Sequence, residues 1–156
     1  MAQGSSCLVR ATNTLEPHGL RIPETLRCSP SVWTSAEVSD SFPICCFNTM
    51  NMLHRDICGI KDPTKFNSEI LDLDIRLHEH LQEHLRYACI HWNQHLEPIP
   101  VEHSDVKECA KEFFRTHLLH WIEVMSLLDH ANHVQLALSK TKLWFQVHLL
   151  CLHQLE

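Results

Sequence analysis

From residue 101 to its end the chain contains neither glycine nor proline, and inside that stretch His117-Leu118-Leu119-His120-Trp121-Ile122-Glu123-Val124-Met125-Ser126-Leu127-Leu128 is almost continuously apolar. Glycine and proline are the residues that most readily interrupt a helix, so no backbone breaker stands in the way of one here. A second run, Leu85-Arg86-Tyr87-Ala88-Cys89-Ile90-His91-Trp92, places Leu85, Ala88, Cys89 and Trp92 on one helical face. Two such stripes bury best against each other. The expected central contact is therefore Leu85, Ala88, Cys89 and Trp92 against Phe113, Trp121, Met125 and Leu128.

The rest of the chain extends this to an all-α fold, a small bundle of about four helices with a disordered N-terminal arm. Residues 1–43 hold two of the three glycines, four of the seven prolines and seven serines without a sustained helical period, which reads as the arm. Residues 44–156 read as one helical, linker-like domain. Its first helix is expected over Ile44–Ile57, with Pro43 at its start and Gly59 as its stop. Asp62-Pro63-Thr64 is a turn. Leu71, Leu73, Ile75 and Leu77 then alternate with polar residues, a strand signal in isolation. A lone strand would lack a partner for its backbone, so short helical turns or an extended connector are expected instead. The second helix spans Glu83–Leu96, ended by Pro98 and Pro100. The third runs from an N-cap at Ser104 through Leu128, and the fourth over Asn132–Leu152. That last helix is apolar on more than one face, which calls for a covering partner.

The formal charge of −6, from 13 basic and 19 acidic residues, gives no electrostatic reason to capture nucleic acid or anionic lipid. No run approaches the roughly 18 apolar residues of a membrane span, and the N-terminus lacks the pattern of a secretory signal. The eight cysteines follow no compact spacing and suit reduced core thiols, so a cytoplasmic location is expected. With three glycines in all and no phosphate-binding loop, a nucleotide is not an expected ligand. Trp92, Trp121 and Trp144 lie in apolar runs without a basic stripe, as core anchors do.

The sharpest chemical signal is His80-Leu81-Gln82-Glu83-His84. On one helix, the H-x-x-E-H form sets two histidines on a face with a carboxylate placed to activate water. A zinc-binding protein or hydrolase using His80 and His84, with His91 as a further ligand, is the alternative this motif raises. His91/His95 and His117/His120 are further pairs at chelating spacing, and Cys58 and Cys89 are thiols to be weighed beside His54 and His91. Surface or hydrogen-bonded histidines and core thiols account for all of these more simply. No catalytic residue, metal or cofactor is therefore assigned, and the chain is expected not to be an enzyme.

Four blocks taken together are more specific: Cys46-Phe47-Asn48-Thr49-Met50-Asn51-Met52-Leu53-His54-Arg55-Asp56-Ile57-Cys58, Asn67-Ser68-Glu69-Ile70, the Leu85–Trp92 run and the His117–Leu128 run. In order and approximate spacing, over about Cys45 to Trp144, they resemble the helical linker between the NACHT nucleotide-binding module and the WD-repeat propeller of fungal STAND proteins, the vegetative-incompatibility class. Arg27-Cys28-Ser29-Pro30-Ser31-Val32-Trp33 resembles the end of the winged-helix region that precedes this linker. The phosphate-binding loop, the metal-binding acidic strand and the WD repeats are missing from the sequence. The resemblance thus implies a non-enzymatic linker or interaction module, a truncated relative, with neither NTPase nor propeller activity. The protein partner it implies is a full-length relative or a second copy of the chain engaged through the apolar C-terminal helix. A gene fragment without selected function is the second alternative.

Overall fold

A computed structural model describes residues 35–99 and 104–153, with side chains over 42–99 and 104–146. It contains six α-helices and no strand among the described residues: α1 (Ser35–Met50), α2 (Leu73–His80), α3 (Glu83–Leu96), α4 (Ser104–Thr116), α5 (Leu118–Leu127) and α6 (Ala131–His153). A single 3-10 turn, Asn67–Glu69, interrupts the connector between α1 and α2. The all-α class is what the sequence predicts; the number of helices is six rather than about four.

The two additional helices have separate causes. The alternating segment folds as α2 because Leu73, Leu77 and Leu81 recur at four-residue intervals and turn inward together, leaving Leu71 and Ile75 outside. The expected single helix from Ser104 to Leu128 divides at His117, the N-cap of α5, where φ widens to −118° with ψ at −1°. The His117 Nδ1–H donates to the Leu53 carbonyl at 3.0 Å, so a side chain reaching out of the helix holds the bend. Around it the ladder persists, with His117 N–H donating to Phe113 O and Trp121 N–H to His117 O.

The first helix also differs from expectation. It ends at Met50, and Leu53 and Ile57 are buried from turns that follow it. It begins at Ser35, so Pro43 lies inside it and is fully buried. The missing N–H of an internal proline costs a rung of the ladder, and burial of Pro43, Cys46, Phe47 and Met50 along the same face offsets that loss. Residues 1–34, most of the expected arm, lie outside the described residues.

α1 packs chiefly on α3 and then on α4, while α6 closes the other side against α5 and α3. Four of these helices meet in an aromatic cluster. Trp92 of α3 lies 5.5 Å from Phe47 of α1, 5.6 Å from Phe113 of α4 and 5.6 Å from Trp121 of α5, ring centroid to centroid. The last of these pairs is edge-on, an arrangement worth about 0.5–1.5 kcal/mol beyond the area buried. Leu85, Ala88, Cys89, Trp92, Phe113, Trp121 and Met125 are all buried in this single core, and Leu128 packs half-buried at its margin.

The two central tryptophans are equally buried but differently satisfied. The Trp121 indole N–H donates to the Cys89 carbonyl at 2.8 Å, stitching α5 to α3. The Trp92 indole nitrogen is buried with no hydrogen-bond partner among the described residues. Trp121→Phe should therefore destabilise the fold by about 1 kcal/mol more than Trp92→Phe, since the first change removes a buried hydrogen bond and the second removes an unsatisfied donor. Urea unfolding of the two variants with a common slope measures the difference, and equal midpoints would refute it.

Candidate functional site

The residues between α1 and α2 form a long connector held by side chains from elsewhere. Asp56 is its centre. One Asp56 oxygen accepts the Ile60 N–H at 2.6 Å and the Lys61 N–H at 3.2 Å, and the other accepts the Lys61 N–H at 3.1 Å. The Asp56 N–H donates to Glu123 Oε1 of α5 at 3.0 Å. This geometry puts Asp56 and Lys61 at φ +53° and +67° with Gly59 at +63° between them, a left-handed conformation that only glycine adopts without strain.

Further clamps fix the ends of the connector. Arg76 of α2 is oriented by Asp72 and donates to the carbonyls of Cys58 at 3.2 Å and Gly59 at 2.9 Å. The Asn67 side-chain amide donates to Ser126 O of α5 at 2.8 Å, and Glu69 accepts the Phe66 N–H at 2.7 Å. Asp62 accepts both the N–H and the hydroxyl of Thr64, closing the expected turn. Those bonds hold its carboxyl below the usual carboxylate range, with a smaller contribution from the charge of Lys65.

Between the connector and α5 lies a cleft of about 560 Å³. Half-buried Ile60 and Ile70 and buried Leu127 supply apolar lining, and exposed Arg55, Lys61 and Lys65 supply three cations. Among the described residues none of the three cations makes an ion pair or donates a side-chain hydrogen bond. The acids of the same cleft, Asp56, Asp62 and Glu123, are each engaged by connector donors. A cleft of this size with an apolar interior and a few polar groups at its edge is the usual form of a binding site.

The residues singled out from the sequence lie elsewhere. His80 is the last residue of α2, Glu83 the first of α3, and the extended backbone of Leu81 and Gln82 separates them. The single-helix geometry that gives H-x-x-E-H its chemistry is not formed. No group of three or more histidine, cysteine, aspartate or glutamate side chains suited to a metal ion occurs among the described residues. His91 and His95 do share a face of α3, but aromatic rings cover it: Tyr87 lies 4.8 Å from His91, Phe42 stacks on His95 at 5.4 Å, and the Tyr87 hydroxyl bonds His95 Nε2 at 3.1 Å. His117 and His120 lie 5.7 Å apart, with the first occupied by Leu53 O.

The thiols considered as nucleophiles are buried. Burial pushes both Cys58 and Cys89 up, and for Cys58 the charges of Glu123 and Asp56 add to it. A thiol raised in this way holds its proton at neutral pH and attacks poorly. Cys46, Cys58, Cys89 and Cys109 stand outside any disulfide, as reduced core thiols are expected to; Cys45, however, is disulfide-bonded. The cleft residues Arg55, Lys61, Lys65 and Glu123 were not legible as a group. Asp56, three positions before Gly59, is the one local turn signal that points toward them.

Comparison with protein-family models, with curated proteins and with solved structures finds no match.

Two outcomes follow. Asp56→Ala removes the acceptor of two amides and leaves alanine at positive φ, so it should cost about 1–3 kcal/mol. Faster hydrogen exchange at the Ile60 and Lys61 amides should accompany the loss, and unchanged exchange there would show that Asp56 does not hold the connector. The second concerns His91, whose pKa burial lowers, with His95 and His130 adding to the effect and Gln94 opposing it. The unfolded chain then takes up the proton first, so stability is full above about pH 6.5 and falls as pH drops from there through the lowered folded value. His91→Gln should flatten that part of the stability profile relative to the parent chain; parallel profiles would exclude His91 as the source.

Proposed function

We propose that this chain is a non-enzymatic helical linker or interaction module, working in the cytoplasm by packing against a protein partner. The resemblance to the linker of fungal NACHT/WD-repeat proteins belongs to this reading and rests on the four sequence blocks. The observation that carries the reading is the exposure of Phe66, Leu71 and Ile75 at 75%, 101% and 62% on the connector and α2. Large apolar side chains left exposed along one stretch of chain, beside charged residues, are what a protein interface presents before it is covered. Leu136 and Leu143 on α6, at 56% and 60%, add a second exposed position on the helix expected to need a partner.

No helix among the described residues is long and apolar enough to cross a membrane. The buried thiols of Cys46, Cys58 and Cys89 fit a reducing compartment, whereas the Cys45 disulfide points the other way.

Light scattering after size exclusion, with circular dichroism and a hydrophobic dye on the same fractions, tests the reading. The isolated chain should be helical and should bind dye or self-associate. Leu71→Ser with Ile75→Ser should lower the dye signal while changing stability by no more than about 0.5 kcal/mol per site. A monodisperse monomer without dye binding would count against an uncovered interface, and a molten helical signal would favour the gene-fragment alternative.

A further inference from the structure

We infer that the outer face of α2 on one copy of the chain packs against the outer face of α6 on a second copy. This rests on the reading of the chain as an interaction module and names both the partner and the two surfaces that meet.

Each face is apolar at its centre and charged around it, and the charges are opposite in sign. Leu73 and Leu77 turn one side of α2 inward, which leaves Leu71 and Ile75, four residues apart, exposed on the other. Exposed Asp72, Asp74 and Glu79 accompany them, against the single cation Arg76, which pairs with Asp72 and reaches toward the Cys58 and Gly59 carbonyls. Counting paired groups as well, three negative charges stand against one positive. On α6, Ala137 and Thr141 are buried, which leaves Leu136 and Leu143, seven residues apart, exposed on the opposite side. Exposed Lys140 and Lys142 accompany these, and the 23 residues of α6 contain no aspartate or glutamate in a chain that has 19 acids. Glu97 pairs with Lys140 at 3.2 Å, so two positive charges stand against one negative.

The two faces also match in length. At a rise of about 1.5 Å per residue, the stripe from Leu71 to Glu79 runs about 12 Å and that from Leu136 to Leu143 about 10 Å. One contact between them covers all four apolar side chains and sets carboxylates opposite ammonium groups. Packing α6 on α6 would cover the leucines but oppose lysine to lysine, and packing α2 on α2 would oppose carboxylate to carboxylate. The contact is therefore heterologous: each copy offers one face and receives on the other, so assembly grows with concentration unless a ring closes. A contact this short lies at the small, transient end of interface sizes, below roughly 1,200 Å², so it is weak and reversible.

Light scattering across a dilution series of the full chain tests the inference, with circular dichroism on each variant as the check that it folds. The average mass should rise as concentration approaches about 1 mM and fall back as salt is raised from about 0.1 M to about 1 M. Asp74→Lys with Glu79→Lys, and separately Lys140→Glu with Lys142→Glu, should each weaken self-association at least about tenfold. An equimolar mixture of these two variants should restore it to within about threefold of the parent, because every α2 face then finds an α6 face of opposite charge. Leu136→Ser with Leu143→Ser, on exposed positions, should weaken association as well and keeps the inference open to refutation should Asp74→Lys disturb the short α2. A parent chain that stays monomeric, losses that mixing does not restore, or tighter association of the Lys140→Glu, Lys142→Glu variant, which would show α6 meeting α6, would overturn it. A monomer that still binds hydrophobic dye would leave the interaction-module reading standing with a different protein as partner, and a monomer that binds none would remove both.

Discussion

Among the described residues, the arrangement of four helices depends on the packing of Trp92 against Phe47, Phe113 and Trp121. Each ring comes from a different helix, so the cluster alone fixes how α1, α3, α4 and α5 meet. α6 joins through Phe145, whose ring lies 6.5 Å from Phe114. Burial of four large aromatic side chains supplies the non-directional part of the stability. The directional part is the bond from Trp121 to the Cys89 carbonyl, which sets one rotation of α5 on α3. A purely apolar contact there would tolerate several rotations of similar energy.

The connector obeys a different logic. Leu53, Ile57 and Cys58 anchor its first part in the core, but its backbone also turns through three left-handed residues within six positions. Those turns are held by polar side chains. Asp56, Glu123, Asn67 and Arg76 do this, each spending its charge or amide on a backbone group. His117 links the two regimes: it bends the α4–α5 run so that Trp121 reaches the core, and the bond that holds the bend ends on the connector at Leu53. The aromatic core thus sets where the connector's anchors stand, and those anchors in turn create the cleft.

The core was legible in the sequence because burial is periodic. Leu85, Ala88, Cys89 and Trp92 announce a helix face without any knowledge of what they touch, and Trp121 and Met125 do the same. Helix ends were less legible where the usual punctuation is absent. α5 stops with Asp129 at φ +59° and the His130 N–H reaching back to Met125 O, a closure usually made by glycine. His117 breaks a run in which every residue favours helix, through a partner 64 residues away. The alternation at Leu71–Leu77 reads as a strand in isolation, yet residues 73 and 77 satisfy a two-residue and a four-residue spacing alike, and the segment folds as a short helix. The H-x-x-E-H cluster misled for the related reason that a spacing in sequence carries chemistry only if one helix spans it, and Leu81 and Gln82 do not continue α2.

The cleft was illegible because its cations come from a connector without periodicity and its acids are oriented by that connector's own backbone, an arrangement that composition cannot express. Counted by formal charge, Arg55, Lys61 and Lys65 cancel Asp56, Asp62 and Glu123, and the site looks neutral. A hydrogen bond to a backbone amide orients a carboxylate without removing its charge, so the engagement of Asp56, Asp62 and Glu123 by the connector fixes the shape of the cleft and leaves its acids and cations in balance.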